Sequence, residues 1–177
     1  MTRNKLDALN CSIANALDLI GEWWTLLILR EAFFGTRRFE DFQQHLGIAL
    51  NILTARLRKL CDSGILERVP IKEGAKRHEY KLTQMGRDLQ PTLIALTQWG
   101  DRWLHQANGA PVKFVERASG EEIAEVSVQT KAGQKLEPRD MAMIPGPGAT
   151  EETQERLRLL RVAWEKRNET ESVKHRK

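Results

Sequence analysis

Between Thr36 and Leu60 the apolar positions fall at helical spacing twice, with a glycine between the two runs. Phe39, Phe42 and Leu46 recur three and four residues apart, the period of one apolar helical face. Thr36 stands ahead of them as an N-cap candidate, and Gly47 follows as a residue able to close the helix in the left-handed conformation. Ile48 is a buried-type residue inside the turn, and Leu53, Leu57 and Leu60 give a second helix its own inward stripe. A helix, a short glycine-containing turn and a second helix make a helix-turn-helix.

The pattern changes on either side. Cys11–Ile20 predicts a short helix with Ile13, Leu17 and Ile20 on one side, punctuated by Gly21. Glu22–Phe34 is apolar on nearly every side, which predicts a central helix covered all round, with Trp23 and Trp24 supplying large buried area. After Ser63-Gly64, the segments ILERVPI and RHEYKL read as two strands, with His78, Tyr80 and Leu82 alternating. KEGAK, containing Gly74, is the hairpin loop between them. Thr83 caps a long helix whose stripe is Leu89, Leu93, Leu96, Trp99 and Trp103. Pro91 predicts a kink or restart inside it, and Asn108-Gly109 closes it. From Ala110 the residue types alternate between glycines, predicting three or four short strands. Pro145-Gly146-Pro147-Gly148 breaks the chain, and Thr150 to about Glu171 returns to helix, with Leu157, Leu160 and Trp164 spaced among Arg and Glu. Residues 1–10 and the SVKHRK tail are polar.

Charge sharpens this picture. The net charge is +4, and residues 50–81 hold eight Lys/Arg against four acids, so that segment carries all of it. A basic patch confined to one supersecondary unit is the footprint of a polyanionic partner, though a solvated charged face gives the same count. The outward face of the second helix carries Asn51, Thr54, Ala55 and Arg58, groups suited to base edges and phosphates. A basic hairpin directly after a helix-turn-helix reads as a wing, with Lys72, Lys76 and Arg77 aimed at phosphates. The stripe Leu93, Leu96, Trp99 and Trp103 is more than one small domain can easily cover, and a second copy would cover the remainder. A homodimer also fits DNA reading, because helix-turn-helix pairs read two half-sites.

Several classes are disfavoured. There is no Gly-rich phosphate loop after a strand, no HExxH, no GxSxG, and the histidines at 45, 78, 105 and 175 are scattered, so no catalytic residues and no enzyme are expected. Two cysteines, Cys11 and Cys61, make no disulfide framework. No apolar run reaches the length of a membrane span and the first ten residues are polar, so a reduced cytoplasmic protein without a secretory signal is the expectation.

The chain resembles the HxlR-type winged-helix transcriptional regulators. The resemblance is carried by Cys11 with SIANALDLIGEWWTLLILREAFFG, then RRFEDFQQHLGIALNILTARLRKLCDSGILERVPI, then HEYKLTQMGRDLQPTLIALTQWG, roughly residues 11–104. It implies a dimeric repressor or activator with the second helix in the major groove, the wing on the backbone, and the family's N-terminal and long C-terminal helices pairing subunits. Many relatives carry Arg or Ser-Pro where this chain has Ala49-Leu50, which bears on the operator sequence it would read. Some longer relatives hold spaced cysteines in a zinc-ribbon-like region. The matching positions here are Ser119, Gln129 and Ala132, which cannot act as thiolate ligands, so neither metal nor cofactor is expected. Cys11 matches a cysteine that some members use to sense oxidants or electrophiles. It is a candidate redox sensor, with a structural cysteine at the dimer contact as the alternative.

The sequence therefore predicts a mainly α (α+β) chain. Residues 1–108 form a winged helix-turn-helix for DNA binding and dimerisation, residues 109–148 a small β-rich appendage, and residues 149–177 a C-terminal helix and basic tail. The expected partners are operator DNA, a second copy, and a small-molecule or electrophile signal. The expected function is a sequence-specific dimeric transcriptional regulator acting as a repressor. The alternatives are a winged helix kept for protein contacts after losing DNA binding, and a regulator that senses a small molecule or electrophile.

Overall fold

The computed structural model describes residues 9–73, 75, 77–104 and 108–174. The polar arm at residues 1–8, Gly74 and Lys76 of the wing loop, His105 and residues 175–177 lie outside the described residues. The chain divides into two compact units, Asn15–Val126 on the one hand and Met1–Ala14 with Ser127–Lys177 on the other.

The order of elements is α1 (Ser12–Ile20), α2 (Trp23–Phe33), α3 (Phe39–Leu46), α4 (Leu50–Asp62), β1 (Leu66–Pro70), β2 (His78–Leu82), α5 (Gln84–Arg87), α6 (Gln90–Trp103), a single 3-10 turn (Pro138–Asp140) and α7 (Glu151–Lys174). α3, α4 and the antiparallel β1–β2 hairpin, paired from Leu66↔Leu82 to Pro70↔His78, form a winged helix-turn-helix. It is mainly helical, with one small two-stranded sheet among the described residues.

One core holds this unit together. Ile28 and Leu29 of α2, Phe42 of α3, Ile48 in the turn, Leu53, Leu57 and Leu60 of α4, and Ile65 and Leu66 entering β1 form a single buried cluster. Each such side chain contributes about 1.5–3 kcal/mol by leaving water. The stripe read from the leucine spacing is therefore the inner face of α4. Gly47 adopts φ 60° and closes α3 as expected, its N–H bonded to the Gln43 carbonyl at 3.0 Å.

α2 and α4 end alike. Gly35 and Gly64 lie at φ 97° and 74°. The residue after each bonds back to the last turn, Thr36 N–H to Glu31 O and Ile65 N–H to Leu60 O, both at 3.0 Å. This 6→1 bond satisfies a helix-terminal carbonyl and fixes the direction in which the chain leaves. For the same reason Thr36 does not cap α3, contrary to the expectation from its position. Its amide is committed to the end of α2 and its hydroxyl donates to Glu31 at 3.1 Å, so α3 begins later, with Arg38 at the cap position and no side-chain cap.

Thr83 does cap a helix, accepting from the Gly86 amide at 3.2 Å, but that helix is the one-turn α5. The Pro91 restart is real: α6 begins at Gln90 with proline in its first turn. α6 ends at Trp103, before Asn108-Gly109. Gly86 is buried, and a Cβ there would press on the Ile65 carbonyl oxygen, so only glycine lets α5 seat against the start of β1.

Two further expectations fail. The Glu22–Phe34 stretch is not covered all round: Trp23 on α2 is 62% exposed and Phe34, just past its end, 53%. Trp24 packs against the core, and Trp23 stacks on it at 4.2 Å between ring centroids. The three or four strands expected across 109–148 are absent. That stretch holds two isolated antiparallel bridges, Val115↔Glu122 in one unit and Gln129↔Lys135 in the other. Gly120 and Gly133, at φ 75° and 83°, turn the chain tightly, but the valines at 115, 126 and 128 stay exposed. Alternation alone builds no ladder without an apolar face to cover it.

In the other unit, Asn10 holds the start of α7. Its side-chain oxygen accepts from the Thr150 amide at 3.2 Å and the Thr153 hydroxyl at 2.9 Å, and its amide donates to the Gly148 carbonyl at 3.0 Å. α7 runs past Glu171 to Lys174, and Leu160 and Trp164 on it are exposed.

Candidate nucleic-acid interface

Burying Leu53, Leu57 and Leu60 decides which residues α4 presents outward, because a helical face repeats at three and four residues. Asn51, Thr54, Ala55 and Arg58 are all exposed and, with Leu50, Lys59 and Asp62, line one shallow depression. The structure thus brings the four expected recognition residues onto one open surface. Thr54 donates its hydroxyl to the Leu50 carbonyl at 2.7 Å, which spends its donor within the helix. Arg58 is paired with Asp62 at 3.6 Å, but both side chains are largely exposed, so the pair holds the guanidinium only weakly. Ala49 stands at the N-cap of α4 and offers no side-chain cap, so the first amides of the helix keep their donors for water or an anion.

Not every cation in the basic stretch is available. Arg56 forms an ion pair with Glu22 at 3.2 Å, and Lys59 donates to the Asp18 carbonyl. These bonds tie α4 to the α1–α2 side of the fold. The Arg56–Glu22 pair subtracts one charge from the surface patch, whereas Lys59 is tethered but keeps its charge.

The wing is anchored by backbone bonds: Ile71 N–H to Arg77 O at 3.1 Å and Ala75 N–H to Lys72 O at 2.9 Å. Lys72 and Arg77 are exposed at its tip, while Lys76 lies outside the described residues. The wing is fastened to the segment leading into α3 by the Tyr80 amide, which donates to the Arg37 carbonyl at 2.8 Å, and by Arg37 facing Glu79 at 4.0 Å.

Between wing and α3 lies a cleft of about 830 Å³, lined by Arg38, Phe39, Glu40 and Asp41 on one side and Arg68, Ile71, Lys72, Ala75, Arg77, His78 and Tyr80 on the other. Sequence reasoning missed Arg38, Arg68 and Tyr80. Arg38 precedes the basic window, and no spacing rule places it opposite a strand forty residues later. His78, half-buried, meets Arg68 at 3.2 Å from Nδ1. Tyr80 sets its ring edge-on to Phe42 at 6.4 Å, and burial raises its hydroxyl pKa against the opposing pull of Arg68.

α3 is held at its other end by a buried acid. Glu31 on α2 receives Arg30 at 2.8 Å, the Thr36 hydroxyl at 3.1 Å and His45 Nδ1 at 3.0 Å. Burial pushes its carboxyl up, but the hydrogen bonds from Arg30, His45 and Thr36 outweigh it and hold it below the ordinary value.

Of the expected dimer stripe, Leu93 packs into its own core, whereas Leu96, Trp99 and Trp103 are 49%, 53% and 62% exposed. Cys11 is exposed and forms no disulfide. Cys61 is half-buried, its thiol pKa raised first by burial and then by Asp62.

A family model described as HxlR-like helix-turn-helix matches residues 19–108, from the end of α1 past the end of α6. The chain belongs to this HxlR-like family. The uncharacterized HTH-type transcriptional regulator Rv3095 of Mycobacterium tuberculosis is 44% identical over 137 residues, covering 77% of this chain and 87% of its own. An HTH-type regulator of Synechocystis is 42% identical over 97 residues, covering 54% of this chain and 72% of its own. The crystal structure of PA1607, a proposed transcription factor, matches with a TM-score of 0.75 at 38% identity, covering 81% of this chain and 100% of that one. PA1374 of Pseudomonas aeruginosa, also a proposed transcription factor, matches at 0.58 and 38%, covering 82% and 99%. The HxlR-like relatives are named as transcription regulators and not as enzymes. Among the described residues no single helix is long and apolar enough to cross a membrane.

Proposed function

We propose that this HxlR-like chain is a sequence-specific DNA-binding regulator that acts as a homodimer and represses by occupying its operator. The observation that carries the reading is the outward face of α4. Asn51, Thr54, Ala55 and Arg58 share one exposed surface while the opposite face of the same helix is the core of the fold. A helix held that rigidly and bearing amide, methyl and guanidinium groups suits the major groove: Asn matches adenine, Arg matches guanine, and the Thr and Ala methyls suit thymine. Lys72 and Arg77 on the wing, with Lys76 at the same tip in sequence, supply phosphate contacts that set register without reading sequence.

Pairing of two copies through Leu96, Trp99 and Trp103 accounts for their exposure on a helix whose neighbour Leu93 is packed inside. A symmetric pair presents two copies of α4 to two half-sites one helical turn apart.

The experiment is a binding titration against operator DNA selected from random duplexes, at two salt concentrations. Arg58→Ala should cost about 1–3 kcal/mol and relax preference at one base position. Lys72→Ala should weaken all sequences alike and reduce the salt slope by about 0.9. An Arg58→Ala protein with unchanged affinity and unchanged sequence preference refutes the assignment of α4.

A further inference from the structure

The cleft between α3 and the wing has the volume of a small-molecule site, about 830 Å³. Its chemistry is two-part. Phe39, Ile71 and Tyr80 give it apolar walls, and Arg38, Arg68, Lys72 and Arg77 give it four cations against the two acids Glu40 and Asp41. Arg38, Lys72 and Arg77 form no ion pair among the described residues, so their charge is not spent within the fold. Arg38 stands at the cap position of α3 without a side-chain bond. Tyr80 keeps its proton well above neutral pH, because burial disfavours the phenolate, and so offers a hydroxyl donor.

We propose that this cleft binds a small aromatic carboxylate, its ring against Phe39, Ile71 and Tyr80 and its carboxylate on the arginines of the wing. Two features favour a small ligand over a DNA strand as the occupant. Glu40 and Asp41 form part of the lining and would repel a continuous run of phosphates, while leaving a net positive charge for one anion. The apolar wall has no use for a sugar–phosphate chain but suits a ring. The inference builds on the proposed DNA-binding role, because Lys72 and Arg77 are the cations assigned there to phosphates. An anion that engages them draws on the same charges. Ligand and DNA therefore oppose one another, each weakening the other's binding by the same factor.

The first test uses the protein without DNA, so that it stands or falls separately from the DNA-binding reading. Benzoate is titrated into the full-length protein while backbone amide NMR signals are followed at constant ionic strength. Benzamide (ring without charge) and acetate (charge without ring) serve as controls. The expected result is saturable shifts confined to residues 38–41 and 66–82, at about millimolar Kd, with both controls at least about fivefold weaker. Arg77→Gln, at an exposed site that leaves the core intact, should weaken benzoate about fivefold or more. Absence of saturation, shifts centred elsewhere, equal binding of acetate, or an unaffected Arg77→Gln protein overturns the site. In a second arm with operator DNA, saturating benzoate should weaken DNA binding about 5–150-fold. Unchanged DNA affinity under ligand saturation overturns the antagonism while leaving the α4 assignment intact.

Discussion

Replacing Glu31 by glutamine measures how firmly the first helix of the reading pair is held. The carboxylate sits on α2 with its side chain 9% exposed, and it collects Arg30, Thr36 and His45, the last from the final turn of α3. Glutamine keeps one acceptor oxygen but turns a donor toward a donor and removes the charge. Fully buried charge-assisted hydrogen bonds contribute about 1.5–3 kcal/mol each. Arg30 and His45 are 44% and 49% exposed, so water replaces part of what they lose. The expected loss is about 2 kcal/mol near neutral pH.

The pH dependence gives the sign. Glu31 has its folded pKa below the ordinary 4.5, so its contribution is complete above 4.5 and disappears as pH falls through the folded value. The stability gap between wild type and Glu31→Gln, taken from urea unfolding followed by tryptophan fluorescence, should be present at neutral pH and close as the pH falls below about 4.5. Taking the gap, rather than wild-type stability, cancels the other carboxylates. A gap that persists unchanged into acid, or none at neutral pH, refutes the argument that the charge anchors α3.

Other perturbations test other parts of the fold. Leu57→Ala removes a fully buried side chain from the inner face of α4 and should cost about 2–5 kcal/mol in a urea melt, whereas Asn51→Ala on the opposite face should leave the melt within about 0.5 kcal/mol of wild type. Gly86→Ala forces a Cβ onto the Ile65 carbonyl and should destabilise by about 1–3 kcal/mol, read as a lowered thermal midpoint. The double substitution Trp99→Ala with Trp103→Ala should shift sedimentation toward monomer without lowering helix content by circular dichroism. An unchanged sedimentation coefficient removes α6 from the proposed dimer contact.

The helix-turn-helix was legible because its signals are local. A glycine at a left-handed turn and leucines on one face need only the next turn of helix to have meaning. Pro91 likewise announced a restart that the chain makes. Thr36 misled because capping competes with tertiary bonds: Glu31 takes its hydroxyl, and the end of α2 takes its amide. Arg56 and Lys59 counted as surface charge in the sequence, yet they fasten α4 to Glu22 and to the Asp18 carbonyl. Residues 109–148 alternate like strands but pair only in two isolated bridges, with the valines at 115, 126 and 128 exposed, so alternation there marks no ladder. The wing–α3 cleft was invisible beforehand because its walls come from segments that only folding brings together.

Hydroxyl-radical footprinting of selected operator DNA tests the central assignment most directly. Two equivalent protected patches are expected, their centres about 10–10.5 base pairs apart, with Arg58→Ala weakening both together. Protection of one isolated patch, or two patches untouched by substitution on the outer face of α4, would contradict it.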